Sequence, residues 1–159
     1  MAVLSAPRIT SYSGGVDGGV IPRRIPSPMA DNVIIYAGAL VQVNAAGYAT
    51  PAGLASAANT SGYVTMGRAY RTYDNTVSGH TLGGIIAEIE QGAFFWDNLA
   101  GDLVVQATVG KTCYAYDDHT VALTNTGGNF ASAGKVLALL VVPELGPSPQ
   151  VLVQTIVGL

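Results

Sequence analysis

The sequence predicts a mainly β domain, a compact β-barrel or β-sandwich, with an extended N-terminal arm. Three observations lead there. From residue 32 onward, short β-branched and aromatic runs alternate with clusters of Gly, Asn, Asp and Thr, the pattern of strands joined by turns. No stretch keeps a 3.6-residue apolar period long enough for a long helix. Ahead of this, residues 1–30 hold four prolines and four glycines, which interrupt any regular period.

With 159 residues the chain fits one core, so the expected division is an arm at 1–30 and a single β domain at 31–159. The arm is either disordered or extended against a partner that supplies its hydrogen bonds. Its apolar residues favour docking, because a free spacer would be more polar. Ile9, Tyr12, Ile21, Arg23, Arg24 and Ile25 are the expected partner-binding side chains. Arg23 and Arg24 form the only basic doublet, suited to carboxylates on a partner or to solubilising the arm.

Strands are expected near 32–37, 39–44, 63–70, 84–91, 92–96, 102–106, 112–117, 119–124, 134–142 and 150–157. The clearest hairpin is KTCYAYDDHTVALT at 111–124. There Tyr114 and Tyr116 point one way, Cys113 and Ala115 the other, and Asp117, Asp118 and His119 make the turn. A second candidate is EIEQGAFFW at 88–96, bending at Gly92. A helical turn is expected near Ala107–Gly110, and the Ala-rich 52–62 stretch reads as an irregular loop. No repeat of 20 to 50 residues appears, which argues against a solenoid or propeller.

Composition narrows the function. Hydrophobic residues make up 49% and charged residues 11%, against roughly 25% charged in an ordinary soluble domain. Protein interfaces are depleted in Lys, Glu and Asp, so a chain whose lysines are Lys111 and Lys135 alone is expected to meet protein over much of its surface. A neutral surface of Ser, Thr, Asn and Gly is the alternative. A net charge of −3 leaves no electrostatic footprint for a phosphate backbone, so no direct nucleic-acid partner is expected. Residues 1–12 show no basic-then-apolar leader, and the longest apolar run, 136–142, is far short of the ~20 residues of a span. Neither standard export nor membrane insertion is expected. The single Cys113 excludes an internal disulfide.

The motifs carry little chemistry. Val109-Gly110-Lys111-Thr112 ends like a phosphate-binding loop, but the glycine needed five residues before Gly110 is Val105, so a turn leading into a strand is expected. Asp117, Asp118 and His119, with Asp97 or Asp102 nearby, offer cation ligands on a loop too short for several oxygens to converge. A plain turn is the better reading. Glu88 and Glu90 project from one strand face, whereas an acid–base pair needs carboxylates across a cleft. His80 and His119 have no zinc-like spacing. Cys113 reads as a buried small hydrophobe, and Trp96 with Phe94 and Phe95 as core or interface rather than a sugar platform. No enzyme activity, cofactor or metal is expected.

The segments Glu90–Asn98 (EQGAFFWDN), Val109–Val121 (VGKTCYAYDDHTV) and Ala133–Val136 (AGKV) resemble, in this order, small head-decoration (cement) proteins of tailed bacteriophages. That family repeats a GxFxxxN segment, a VGKxCYxxDDxTV hairpin and an AGxV strand. The resemblance covers about residues 85–142. It implies a β domain on the outer capsid surface of the virion, made in the host cytoplasm and assembled as a homo-oligomer, often a trimer at local threefold positions. Its partner there is the major capsid protein, whose subunits it bridges. The family brings no catalytic residues. The arm, the 52–62 loop and the Pro143–Pro149 insertion depart from its pattern. The alternative is a carbohydrate-binding or host-adhesion module stacking sugars on Trp96, Tyr114 and Tyr116, and a hydrolase using Glu88 and Glu90 ranks last.

Overall fold

The computed structural model describes residues 23–53, 62–141 and 148–155. The fold is mainly β, with 51% strand and 5% helix, and contains a closed five-stranded barrel. The strands described are β1 (Arg23–Pro28), β2 (Ile34–Ile35), β3 (Leu40–Val43), β4 (Ala49–Pro51), β5 (Val64–Ala69), β6 (Tyr73–Asp74), β7 (Ile86–Asn98), β8 (Thr112–Ala115), β9 (Thr120–Ala122), β10 (Ser132–Val141) and β11 (Pro149–Thr155).

The barrel runs β7–β11–β10–β8–β9 and returns to β7, where Asp97 and Asn98 pair in parallel with Thr120 and Val121. A second sheet, β1–β7–β5–β3–β4, curls until the Met29–Ala49 bridge joins its two ends. Strand β7 belongs to both. Its first half pairs with β1 and β5 and its second half with β11, the change falling between Gln91 and Gly92. The expected EIEQGAFFW hairpin is therefore one continuous 13-residue strand. Each half finds its own neighbours, so the chain has no need to reverse at Gly92. Side chains two apart share a face. Ala87 and Ile89 thus enter the second core, while Phe94 and Trp96, on the opposite face, enter the barrel.

The two interiors differ in kind. Phe94, Trp96, Val104, Val121, Val136, Val151 and Val153 fill the barrel around Cys113 and Ala115. The second core packs Met29, Ile35, Val41 and Ile89 among Ala39, Ala49, Ala69 and Ala87. The β8–β9 hairpin forms as expected, with Tyr114 opposite Ala122, Ala115 opposite Val121, and Cys113 and Ala115 buried.

Strand β1 falls inside the region read as an arm. Its prolines are compatible with pairing because of the register. The Met29 N–H donates to the Ile85 carbonyl at 2.9 Å, so odd-numbered residues turn their N–H groups toward β7. Pro26 and Pro28 fall at the even positions, facing outward, where a missing donor costs no ladder bond. The 102–106 segment, in contrast, is not a strand. The Asn98 side chain satisfies both the N–H and the C=O of Val104 at 2.9 Å, replacing the bonds a neighbouring strand would give. A 3-10 turn follows at Gln106–Thr108, close to the helical turn expected there.

Two of the glycines required by close approach lie within strands. Gly67 (φ 140°) and Gly134 (φ 143°) sit at register shifts in β5 and β10. A Cβ would come within 2.1 Å of the Glu90 carbonyl oxygen at the first and 2.2 Å of the Gln154 carbonyl oxygen at the second.

Candidate interaction surface

Of the expected partner-binding residues, Ile9, Tyr12 and Ile21 lie outside the described residues, while Arg23, Arg24 and Ile25 lie on β1. Ile25 pairs with Ile89, and Arg23 is exposed opposite Gln91. Arg24 turns inward on its own domain: its Nε is 3.5 Å from Glu90 Oε1 and its guanidinium lies 3.4 Å from the Tyr70 ring centroid. Arg68 meets the other Glu90 oxygen through Nε at 3.2 Å and through Nη2, and its guanidinium lies over the Phe94 ring. The buried Glu90 carboxylate is thus held between two cations, the condition for an ionised group to stay inside. Glu88 projects from the same face but reaches Arg71, at 3.9 Å. The two carboxylates tie β1, β7 and β5 together rather than facing one another across a cleft.

In the turn 117–119 both aspartates are buried and His119 is half-buried. Asp117 Oδ1 accepts the His119 N–H at 3.0 Å, and His119 Nδ1 lies 2.9 Å from Asp118 Oδ1 and 3.2 Å from Asp117 Oδ1. Their ligand atoms lie within 4.8 Å of one another. The Asp118 carbonyl accepts from Leu40 N–H at 2.7 Å and the His119 carbonyl from Asp97 N–H at 2.9 Å, so the turn joins the barrel to β3 and β7. Burial pushes the Asp117 carboxyl above its usual range, against the His119 backbone bond that lowers it. This is the local side-chain bonding expected of an Asp-rich turn.

The remaining candidates fall into place. Val109–Thr112 is a turn leading into β8, in which the Gly110 N–H donates to the Val136 carbonyl at 2.7 Å. Cys113 is fully buried and its thiol is pushed up to about 12, again by burial. Trp96 is enclosed in the barrel at 0% exposure and packs edge-on against Phe94, so it offers no stacking face to a sugar. Tyr116 packs against Phe130. His80 is exposed in the loop after β6.

The exposed residues include large apolar side chains beside the polar ones. Eleven large hydrophobic side chains among the described residues stand at 39–59% exposure, including Leu103, Val105, Val109, Leu137, Leu140 and Val141. Between the 98–106 segment and the start of β11 lies a groove of about 400 Å³ lined by Leu103, Val104, Val105, Leu139 and Pro149, with Asn98, Gln106 and Ser148 at hand. None of these carries a charge. Sequence reasoning missed this groove because Leu103–Val105 reads as a strand. The available signal was Asn98 six residues ahead of Val104, an Asn able to hold an extended loop. Comparison of the chain with models of known protein families, with curated proteins and with solved structures finds no match in any of the three.

Proposed function

We propose that this chain is a structural virion protein that decorates and stabilises the capsid of a tailed bacteriophage, bridging subunits of the major capsid protein from the outer surface as a homo-oligomer, a trimer in the simplest assembly. The observation that carries the reading is a low-charge fold whose outward side chains include eleven well-exposed large hydrophobics. Exposed apolar patches on soluble proteins mark contact surfaces, and burying them yields about 25 cal/mol per Å². A cement protein has to bind across seams between subunits, and many copies multiply each small gain. The motif resemblance at 90–98, 109–121 and 133–136 supports the same reading. Of the residues the rival readings would use, Trp96 is enclosed, and Glu88 and Glu90 lie against arginines rather than facing one another.

The test uses empty shells of the coat protein encoded in the same genome. Full-length protein is expected to saturate the shells and raise their melting temperature. A variant lacking residues 2–21, which leaves β1 in place, is expected to keep its β circular-dichroism spectrum and lose occupancy. Shells that bind no full-length protein would refute the function; full occupancy by the shortened variant would refute only the arm's part in it.

A further inference from the structure

Two strand edges of the molecule are guarded differently. On β1 the outward backbone positions at 26 and 28 are prolines, so a strand arriving there finds no N–H at either. Strand β10 contains no proline. Val141 faces Pro149, which has no N–H, so that pair is a non-hydrogen-bonded one and Leu140–Gln150 is the bonded pair. By alternation the N–H and C=O of Leu139 and Val141 point away from β11. Strand β8 does not accompany β10 so far, since its last register partner is Lys135. Beside this stretch, which no other described strand pairs, lies the uncharged groove of Leu103, Val105, Leu139 and Pro149. Leu140 and Val141 stand 49% and 59% exposed.

Such an edge is a template for an extended segment, with main-chain bonds giving affinity and a groove taking alternate side chains. Five strand residues at 137–141 span about 17 Å, which suits a partner of five or six residues without proline or charge. One such segment of the chain is Ala2-Val3-Leu4-Ser5-Ala6, ending at Pro7. From there to Arg23, residues 7–22 reach at most about 55 Å when extended, enough to cross to a neighbouring copy.

We propose that residues 2–6 of one copy add as a strand to the β10 edge of a second copy, with Leu4 in the groove against Leu103 and Val105. The proposal rests on the homo-oligomeric reading above and names the surface that would join the copies. It explains why one edge is blocked and the other is not: β10 is the edge that has an intended partner.

The experiment co-expresses two full-length single variants, Leu4→Cys and a size-tagged Leu103→Cys, and oxidises them mildly. Leu103 is 49% exposed, and the native Cys113 is buried. The expected result is a disulfide-linked heterodimer on a non-reducing gel that disappears when excess synthetic peptide of residues 1–8 is added before oxidation. Absence of the heterodimer overturns the proposal, as does a Leu4→Cys/Leu103→Cys protein that closes only within one chain. Light scattering on the unmodified protein separates the failures. An oligomer that gives no heterodimer sinks this surface alone, whereas a monomer sinks the oligomeric reading with it.

Discussion

Around the barrel every strand has two neighbours over at least part of its length, β10 losing β8 beyond Lys135, whereas among the described residues the second sheet, built on the same β7, meets itself only through the Met29–Ala49 bridge. The interiors follow that difference. The barrel encloses Trp96 and Phe94 among valines, while the second core uses five alanines to bring its strands close. Closure leaves few strand edges, here the far end of β10, and little freedom to adjust. A sheet closed at one bridge keeps edges and compliance, and it has to manage both with particular side chains. Pro26 and Pro28 block the β1 edge, and Glu90 between Arg24 and Arg68 clamps β1 and β5 onto β7.

The largest test of that contrast lies in the two close-approach glycines within strands. Gly134 in the barrel and Gly67 in the second sheet have nearly the same φ, and at each a Cβ would collide with a backbone carbonyl oxygen. If closure removes compliance, the same substitution costs more in the barrel. Gly134→Ala is expected to lose roughly 3 kcal/mol in urea unfolding and Gly67→Ala roughly 1–2, because β5 is registered on β7 at just two residue pairs and can shift away from the Glu90 carbonyl. Equal losses would mean that the second sheet is as rigid as the barrel.

A smaller effect is expected at the seam, where the 117–119 turn rests on β3 and β7. The Asp117 carboxyl is raised by burial above its usual 3.8, so its ionisation works against folding. For a raised carboxyl the favourable contribution is complete below 3.8 and disappears as pH rises through the shifted value. At neutral pH the wild-type protein therefore carries the burden of a buried charge. Asp117→Asn keeps an acceptor for the His119 N–H and is expected to stabilise by up to about 1 kcal/mol at pH 7, the gain shrinking toward zero as pH falls to 3.8. Urea midpoints at several pH values read this directly. A loss of stability at pH 7 would mean instead that the Asp117–His119 ion pair dominates.

Much of the barrel was legible because its strands alternate cleanly: the 111–124 hairpin, its inward Cys113 and Ala115, and its Asp-rich turn follow from period and turn chemistry alone. What escaped was set by neighbours distant in sequence. Whether Gly92 bends the chain depends on β1 and β11, about 65 residues away on either side, and local pattern is silent about them. The prolines of β1 read as breakers because only the register reveals which way each imino nitrogen faces. The candidate surface was legible as a shortage of charge, but its location was not. Leu103–Val105 looks like any apolar strand until Asn98 is seen holding Val104 in a loop.

The smallest stability change, and the most direct probe of edge management, concerns those prolines. Pro26→Thr/Pro28→Thr restores two outward N–H groups without touching the bonds to β7. The fold is expected to change by no more than about 1 kcal/mol, since stiffness lost in the unfolded chain and β propensity gained in the strand act in opposite directions. Association is where the effect appears. A new donor row beside exposed Arg23 and Arg24 creates a second edge able to accept a strand, so the mass by light scattering should rise with concentration beyond that of the wild-type oligomer. Adding a prolyl-rich edge peptide of residues 22–28 should not suppress that rise, because its own outward positions lack donors. If the mass stays at the wild-type value over a wide concentration range, the charge of the Arg23–Arg24 doublet is guarding the edge and the prolines are incidental to it.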